Sequence, residues 1–473
     1  MFRKLAPGLL ALALAASACG KGSAERVSTC VRDWVVPTET PVFDESLVVD
    51  APKLLWTLSL AGDPNSYGGG PVLSGDRLVL STGPRVFFVS KDGASSQDVT
   101  ANISARLPLL GGVVPWSAPT ADTTGNVYFV GHTGICSLSP DGQVRWAVPY
   151  DCVNSVPYGE GYLSVPEYSP AALSSTGVLF AVACDRQVHA LQSQDGSELW
   201  SAPAPTQQTS YFSSVVGGGG NHVLLYRAGE GEFVLDAATG ATVGPMSQSC
   251  AGADVGASGW TIGAECTNGE ETYRTCPLSL GPNGSPRVEG TYLAYLTASG
   301  ERLVMFDFTL DYNGYAQDSR TITLYNRDGS IAAGPSAVQG WANLVGADET
   351  IYVSDWVGSN TATTPWDLRI IAYSHELNEL WRIDQTGGGH GPYGEVLDRD
   401  GVLYVSIRGD GYATTKLFAI QTRSPGLARS SWPSVRHDNQ GTEWLAEPTL
   451  TSNGVDAGPA SPAESSDANE DLQ

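Results

Sequence analysis

Positively charged residues are scarce in this 473-residue chain, in which 26 Lys and Arg stand against 50 Asp and Glu, giving a formal net charge of −24. Proteins that bind nucleic acid take their affinity from clustered Lys and Arg, so DNA and RNA are not expected partners. Charged residues make up only 16% of the chain, whereas there are 55 Gly, 29 Pro, 12 Trp and 19 Tyr. This composition disfavours long helices and favours many short strands joined by tight turns.

Residues that hold metals or phosphates are also few. The six His are scattered and no C-x-x-C pair occurs, so a zinc site is not expected. Three glycine runs lack the Lys-Ser or Lys-Thr of a phosphate-binding loop. The runs are residues 68–70, 217–220 and 387–389. Four oxygen-bearing side chains fall in a predicted loop between two strands, but their spacing fits no calcium loop. They are Asp307, Asp311, Asn313 and Asp318. We predict no metal and no cofactor.

The N-terminus has the parts of an export signal. Two cations precede an apolar run at residues 5–18 that is too short to span a bilayer. The sequence ASAC at 16–19 resembles the lipobox of bacterial lipoproteins. That resemblance implies acylation of Cys19 with fatty acids such as palmitate and, because Gly20 follows, sorting to the outer membrane. The alternative is ordinary cleavage after Ala18, which would release a soluble periplasmic protein.

Seven cysteines follow Cys19, and export to an oxidising compartment would favour disulfides among them. An odd number leaves at least one unpaired, and the sequence does not fix the connectivity. The candidates for disulfide formation are Cys250, Cys266 and Cys276, which lie close together in the sequence.

A short apolar strand recurs along the chain, each copy followed by a second strand that ends in a tight turn. The eight copies are residues 77–81, 126–130, 178–182, 222–226, 260–264, 302–306, 350–354 and 402–406. Successive turns are 44 to 54 residues apart. A period of this size, built of strands and turns, predicts an all-β protein with four-stranded antiparallel blades, a β-propeller. Eight units predict eight blades; seven is the alternative, because the fifth unit, at about 250–290, is poor in hydrophobic residues.

Tryptophans mark the last strand of several units, and Trp146 and Trp200 each follow a turn glycine by four residues. Trp381 and Trp56 hold similar positions. We expect these large side chains to pack between sheets. The strand that contains Trp56 precedes the first complete unit, whereas the last unit lacks a final strand. We therefore predict that the N-terminal strand completes the last blade and closes the ring.

The repeat Ala190-Leu191…Gly196…Trp200 is similar to the repeat of pyrroloquinoline-quinone-type (PQQ-like) propellers. The segment WPSVRHD at 432–438, which begins at Trp432, resembles a signature that brackets such repeats. The resemblance implies a structural role for this segment, so we do not expect Arg436, His437 and Asp438 to be catalytic.

Two groups within this family differ in function. Quinoprotein dehydrogenases resemble one another in a vicinal Cys-Cys pair, a calcium site and a catalytic Asp, whereas this chain has no adjacent cysteines. The other group contains exported propellers without cofactor, among them the lipoprotein of the outer-membrane β-barrel assembly machine. Resemblance to this second group implies a non-catalytic binding or scaffolding role for a protein or envelope partner. The alternative is an enzyme, either a degenerate quinoprotein oxidoreductase or a hydrolase with loop-borne residues.

These observations predict four segments. Residues 1–18 form a signal peptide, 19–50 a lipid-anchored tether, 51–445 a monomeric propeller and 446–473 a disordered tail with six acidic residues. The expected location is the outer membrane, with the propeller facing the periplasm or the cell surface.

Overall fold

The computed structural model describes residues 52–62, 69–107, 117–131, 133–150, 170–183, 185, 187–203, 212–218, 222–227, 231–245, 265–268, 271–274, 279–280, 286–287, 293–296, 302–310, 316–326, 331–338, 341–357, 367–385, 392–409, 414–427 and 440. Within these ranges the regular structure is almost entirely strand, and the single helix, α1, is Thr100–Ser104. The scarcity of helix agrees with the composition, in which turn formers and aromatic residues are plentiful.

The strands form consecutive antiparallel sheets, each built from strands that follow one another in the sequence. The first strand, β1, is Lys53–Ala61. Sheet 1 is β2 (Gly69–Ser74), β3 (Arg77–Thr82), β4 (Arg85–Ser90) and β5 (Ser96–Asp98). Sheet 2 is β6 (Thr120–Ala121), β7 (Val127–Gly131), β8 (Gly134–Leu138) and β9 (Val144–Pro149). Sheet 3 is β10 (Ala172–Leu173), β11 (Val178–Val182), β12 (Gln187–Gln192) and β13 (Glu198–Pro203). Sheet 4 is β14 (Phe212–Gly218), β15 (His222–Arg227), β16 (Gly231–Asp236) and β17 (Thr242–Pro245).

The second half of the chain continues the pattern after an interruption. Two two-stranded sheets come first: β18 (Glu265–Asn268) with β19 (Glu271–Arg274), and β20 (Ser279–Leu280) with β21 (Pro286–Arg287). Sheet 5 is β22 (Leu293–Leu296), β23 (Arg302–Leu310), β24 (Ala316–Asn326) and β25 (Ile331–Val338). Sheet 6 is β26 (Trp341–Val345), β27 (Ile351–Val357), β28 (Asp367–Tyr373) and β29 (Glu379–Gln385). Sheet 7 is β30 (Pro392–Leu397), β31 (Val402–Arg408), β32 (Thr414–Gln421) and β1.

The predicted β-propeller is confirmed by this arrangement. Seven of the eight recurring strands found in the sequence are the second strands of the seven sheets, from β3 to β31. The remaining copy, residues 260–264, lies outside the described residues. Because the described part of that unit contains only the two two-stranded sheets, the number of eight blades stays a prediction.

The hydrophobic core lies between consecutive sheets. Val72 and Phe88 of sheet 1, for example, share one buried cluster with Val127 and Phe129 of sheet 2. The same cluster contains Cys136, which has a free thiol whose pKa is raised by burial to about 12. Further clusters join sheets 2 and 3, sheets 3 and 4, and sheets 6 and 7. Sheets 1, 2, 3, 4, 6 and 7 are therefore each stabilised by a neighbour, as propeller blades are.

The prediction that the N-terminal strand closes the ring is confirmed. Strand β1 pairs antiparallel with β32, from Lys53 opposite Gln421 to Ala61 opposite Thr414. Leu60 of β1 is 3% exposed and lies in a core cluster with Leu78 of sheet 1. The last sheet thus packs against the first, and β1 covers the edge that β32 would otherwise expose.

The structure corrects one expectation about the acidic cluster. Asp307 lies within β23, opposite Thr321, and Asp318 lies within β24, so the prediction that both belong to a loop is wrong. The two strands extend as a long hairpin, because their register continues from Arg302 to Leu310. Asp311 and Asn313 lie outside the described residues.

The closure of sheet 7 can be tested by truncation. Deleting residues 51–62 removes β1, exposes the β32 edge and takes Leu60 out of a shared core, so we expect aggregation or a clear fall in melting temperature. Deleting residues 449–473 serves as the control and should leave the melting temperature and the circular dichroism spectrum unchanged. An equal effect of the two truncations would contradict the role assigned to β1.

Candidate functional site

Three of the repeated tryptophans tie one sheet to the next. The indole N–H groups of three of them donate to backbone carbonyls in the turn between the third and fourth strands of the following sheet. These bonds are Trp56 to Lys91 at 3.0 Å, Trp146 to Ser193 at 3.0 Å and Trp200 to Ala237 at 2.9 Å. A hydrogen bond from the indole N–H fixes the orientation of the ring, which the apolar contact alone would not do. Each tryptophan therefore fixes the turn of a neighbouring sheet.

The same indole rings lie against turn glycines. A Cβ atom added at Gly93, Gly196 or Gly240 would come within 2.6, 2.7 and 2.4 Å of the ring of Trp56, Trp146 and Trp200, respectively. A second aromatic residue of the same sheet stands at about 6 Å from each ring. The pairs are Trp56–Tyr404, Trp146–Tyr128, Trp200–Phe180 and, in sheet 6, Trp381–Tyr352. These contacts agree with the expectation that the tryptophans pack between sheets.

Carboxylates in the turns are also engaged internally. The Tyr128 hydroxyl donates to Asp122 Oδ2 at 2.8 Å and lies 3.4 Å from the Ser193 carbonyl. Burial alone would raise the pKa of Asp122, but hydrogen bonds from Asn126 and other neighbours outweigh it and lower that pKa. In sheet 7, Asp398 is 1% exposed; it accepts from Tyr404 at 3.2 Å and pairs with Lys91 Nζ at 3.4 Å. Such carboxylates fasten the turns in which they lie.

A histidine between two carboxylates is the most distinctive polar group of the described residues. His189 lies on β12 and is 2% exposed. Its Nδ1 is 2.8 Å from Glu198 Oε2 on β13, and its Nε2 is 3.2 Å from both carboxylate oxygens of Asp185. The Tyr150 ring, which follows β9 in sheet 2, stacks on the imidazole with a centroid distance of 4.0 Å. These four residues form what we call the His189 cluster.

The hydrogen-bonding geometry of the cluster favours a protonated His189, which cannot serve as a general base. Because both ring nitrogens face carboxylate oxygens, both must donate, which is the hydrogen-bonding pattern of an imidazolium ion. Burial by itself lowers the pKa of His189, but the hydrogen bonds to Asp185 and Glu198 outweigh burial, so that the pKa is raised. An imidazolium has no lone pair with which to accept a substrate proton. Burial, followed by the charges of Glu198 and Asp185, raises the pKa of the Tyr150 hydroxyl as well.

Several residues singled out in the sequence fall outside the described part of the chain. These are Cys19, Cys250, Cys276, Trp432, Arg436, His437 and Asp438. Cys266 lies in β18 opposite Tyr273. One residue of the C-terminal signature region is described: the Gln440 carbonyl accepts a hydrogen bond of 2.8 Å from the Ala121 backbone N–H in β6. The C-terminal segment therefore reaches the first strand of sheet 2.

Neither a metal cluster nor a membrane-spanning helix occurs among the described residues. In the ranges given above, no group of three or more His, Cys, Asp or Glu side chains could hold a metal ion. In the same ranges, no helix is both long enough and apolar enough to cross a membrane.

Comparison with known proteins gives a structural similarity. No protein-family model matches the chain, and no curated protein matches it. Among solved structures, the chain is similar to BamB from Moraxella catarrhalis, with 13% sequence identity and a TM-score of 0.40. That match covers 78% of this chain and 100% of BamB. An identity and a TM-score this low carry no argument about function, so the propeller assignment depends on the sheets themselves.

Paired glycine substitutions test the contact between tryptophan and turn. Gly196 (φ 75°) and Gly75 (φ 61°) have the same left-handed backbone, but an added Cβ meets Trp146 only at Gly196 and meets nothing within 4 Å at Gly75. Gly75→Ala should cost about 1 kcal/mol of unfolding free energy from the backbone alone. Gly196→Ala should cost a further ~1–3 kcal/mol, because the indole must shift. Chemical denaturation measures both values, and equal costs would contradict the packing role of Trp146.

Proposed function

We propose that this chain is an exported cell-envelope lipoprotein that uses its propeller as a non-catalytic platform for binding or scaffolding a protein or envelope partner. The observation that carries the proposal is that the polar groups described above are used to hold the fold together. His189 has both nitrogens bonded to carboxylates, and Asp122 and Asp398 accept hydrogen bonds from buried tyrosines. A frame of this kind presents its turns and loops in fixed positions, which suits recognition.

The two ends of the sheets offer separate surfaces for such a partner. In sheets 1 to 6, the first and third connections between strands lie at one end and the second connection at the other, because consecutive strands are antiparallel. In sheet 1, Asp76 lies at the first end and Arg85 at the second, and both are exposed. A photo-crosslinking amino acid at either position should capture a partner from envelope membranes at one end and not at the other. Capture at neither position, here or at the matching turns of sheet 6, would contradict the platform role.

Membrane attachment is proposed to depend on Cys19. Two acyl chains give stable anchoring where a single chain does not. Cys19→Ser should therefore abolish palmitate incorporation and shift the protein from the membrane to the soluble fraction, as followed by metabolic labelling and fractionation. Cys30→Ser is the matched control and should change neither readout. Unchanged labelling of the Cys19→Ser variant would show that the anchor is elsewhere.

The enzyme alternative makes the opposite prediction about ligands. A ligand that binds only the native state at a hundredfold excess over its dissociation constant stabilises it by about 2.7 kcal/mol. We expect no rise in melting temperature and no dye reduction when the purified protein is mixed with pyrroloquinoline quinone, calcium and a panel of alcohols or sugars. A calcium-dependent rise with the quinone would favour the oxidoreductase and overturn the non-catalytic proposal.

A further inference from the structure

The His189 cluster lies at the junction of two sheets and contains two carboxylates but only one basic side chain. His189 and Glu198 belong to sheet 3, Asp185 lies in the turn between β11 and β12, and Tyr150 comes from the end of sheet 2. Tyr150 is itself held by a backbone hydrogen bond of 3.1 Å to the Thr133 carbonyl. Among the described residues, these are the titratable groups bonded to or stacked on the imidazole. Nothing in the sequence analysis assigned a role to this histidine.

The proton on His189 decides whether the cluster holds together. With both nitrogens protonated, one positive ring lies between two carboxylates and satisfies each of them. When one proton leaves, the ring keeps a single N–H, and its bare nitrogen lone pair faces a carboxylate oxygen at 2.8 or 3.2 Å. Two negative groups then meet a neutral ring that is 2% exposed. Such an arrangement is costly, because a nitrogen lone pair and a carboxylate oxygen at this distance repel each other and one charge-assisted hydrogen bond is lost.

The two carboxylates differ in their freedom to move away. Asp185 also accepts the Gln187 backbone N–H at 3.0 Å, so it is built into its turn, and its side chain is 17% exposed. The Glu198 side chain is 42% exposed and is otherwise held by the Ser201 hydroxyl at 3.2 Å. Glu198 can therefore rotate into solvent, whereas Asp185 cannot leave without distorting the turn. The contact that breaks first joins β12 to the fourth strand, β13.

We propose that His189 is a proton-dependent latch within sheet 3, at the end of that sheet that lies against Tyr150 of sheet 2. In its protonated form it fastens the Asp185 turn and Glu198 around a ring that supports Tyr150. Loss of the proton releases Glu198 and loosens this end of sheet 3. The latch does not depend on the proposed binding role, since it follows from the contacts of four side chains within the fold.

The direction of the pH effect follows from the raised pKa of His189. The stabilisation is fully present below the pKa of an unfolded histidine, about 6.5. It is lost as the pH rises through the higher folded-state pKa. The wild-type melting temperature should therefore fall as the pH increases through this window. This fall adds to any pH dependence that other titrating groups contribute.

Thermal melts between mildly acidic and mildly alkaline pH test the latch with two variants. His189→Gln should remove this part of the pH dependence. The control, His375→Gln, replaces a half-exposed histidine 3.9 Å from Glu376 and should behave like the wild type. A pH dependence that is unchanged in His189→Gln overturns the proposal.

A second variant keeps the proposal testable if His189→Gln does not fold. Glu198→Gln keeps an acceptor beside Nδ1 but removes one of the two charges that raise the folded-state pKa of His189, so the loss of stability should be smaller than in the wild type and complete at lower pH. The backbone amide of Gln187 donates to Asp185, and its protection from hydrogen exchange should fall as the pH rises. The pH at which this protection falls should differ between the wild type and Glu198→Gln. An NMR titration that places the His189 pKa at or below the ordinary histidine value would contradict the latch.

Discussion

A four-stranded sheet of this chain has two apolar faces and cannot bury them alone, so its stability depends on contact with the next sheet. The clusters of buried residues show this directly, because each draws its members from two consecutive sheets. The tryptophans make the contact specific: an indole on a fourth strand donates to a carbonyl of the following turn and covers its glycine. At the closure, Trp56 of β1 makes this contact with Gly93 of sheet 1, so the tie that joins neighbouring sheets also joins the last sheet to the first.

At the contact between sheets 5 and 6, the turn has the large side chain and the fourth strand has the small one. In sheet 5, the position on the fourth strand that holds tryptophan in sheets 2, 3, 6 and 7 is occupied by Ala333, opposite Leu324. The turn of the next sheet then has Leu377 where other turns have glycine; it is 8% exposed and has a positive φ of 62°. Leu377 Cδ1 approaches the neighbouring Gly334, where an added Cβ would lie 3.1 Å away. At this contact a large side chain in the turn thus stands opposite a small one on the strand, at the cost of a strained backbone.

The architecture could be predicted from the sequence because it depends on the spacing of the repeats. Contacts that depend on the register of strand pairing were not predicted. Seven recurring strands and the closing role of β1 could be predicted from spacing alone. The glycine that precedes Trp146 in its own unit, however, is not the one on which it packs; that partner is Gly196 of the next unit. The long β23–β24 hairpin was missed because acidic residues favour loops. His189 was missed because its partners, four and nine residues away, meet it only through a turn and strand pairing.

The internal polar groups divide sharply in how they respond to pH. Hydrogen bonds lower the pKa of Asp122 against the effect of burial, and burial raises the pKa of Tyr128 to about 12 and of Cys136 to about 12. These groups therefore keep one protonation state throughout the neutral range, and the ties between sheets that involve them do not vary with pH. His189 is different, because its ordinary pKa lies near neutrality and its folded value is moved upward by two carboxylates. Of these groups, His189 is therefore the one whose charge changes near neutral pH, and it lies where sheet 3 meets Tyr150 of sheet 2.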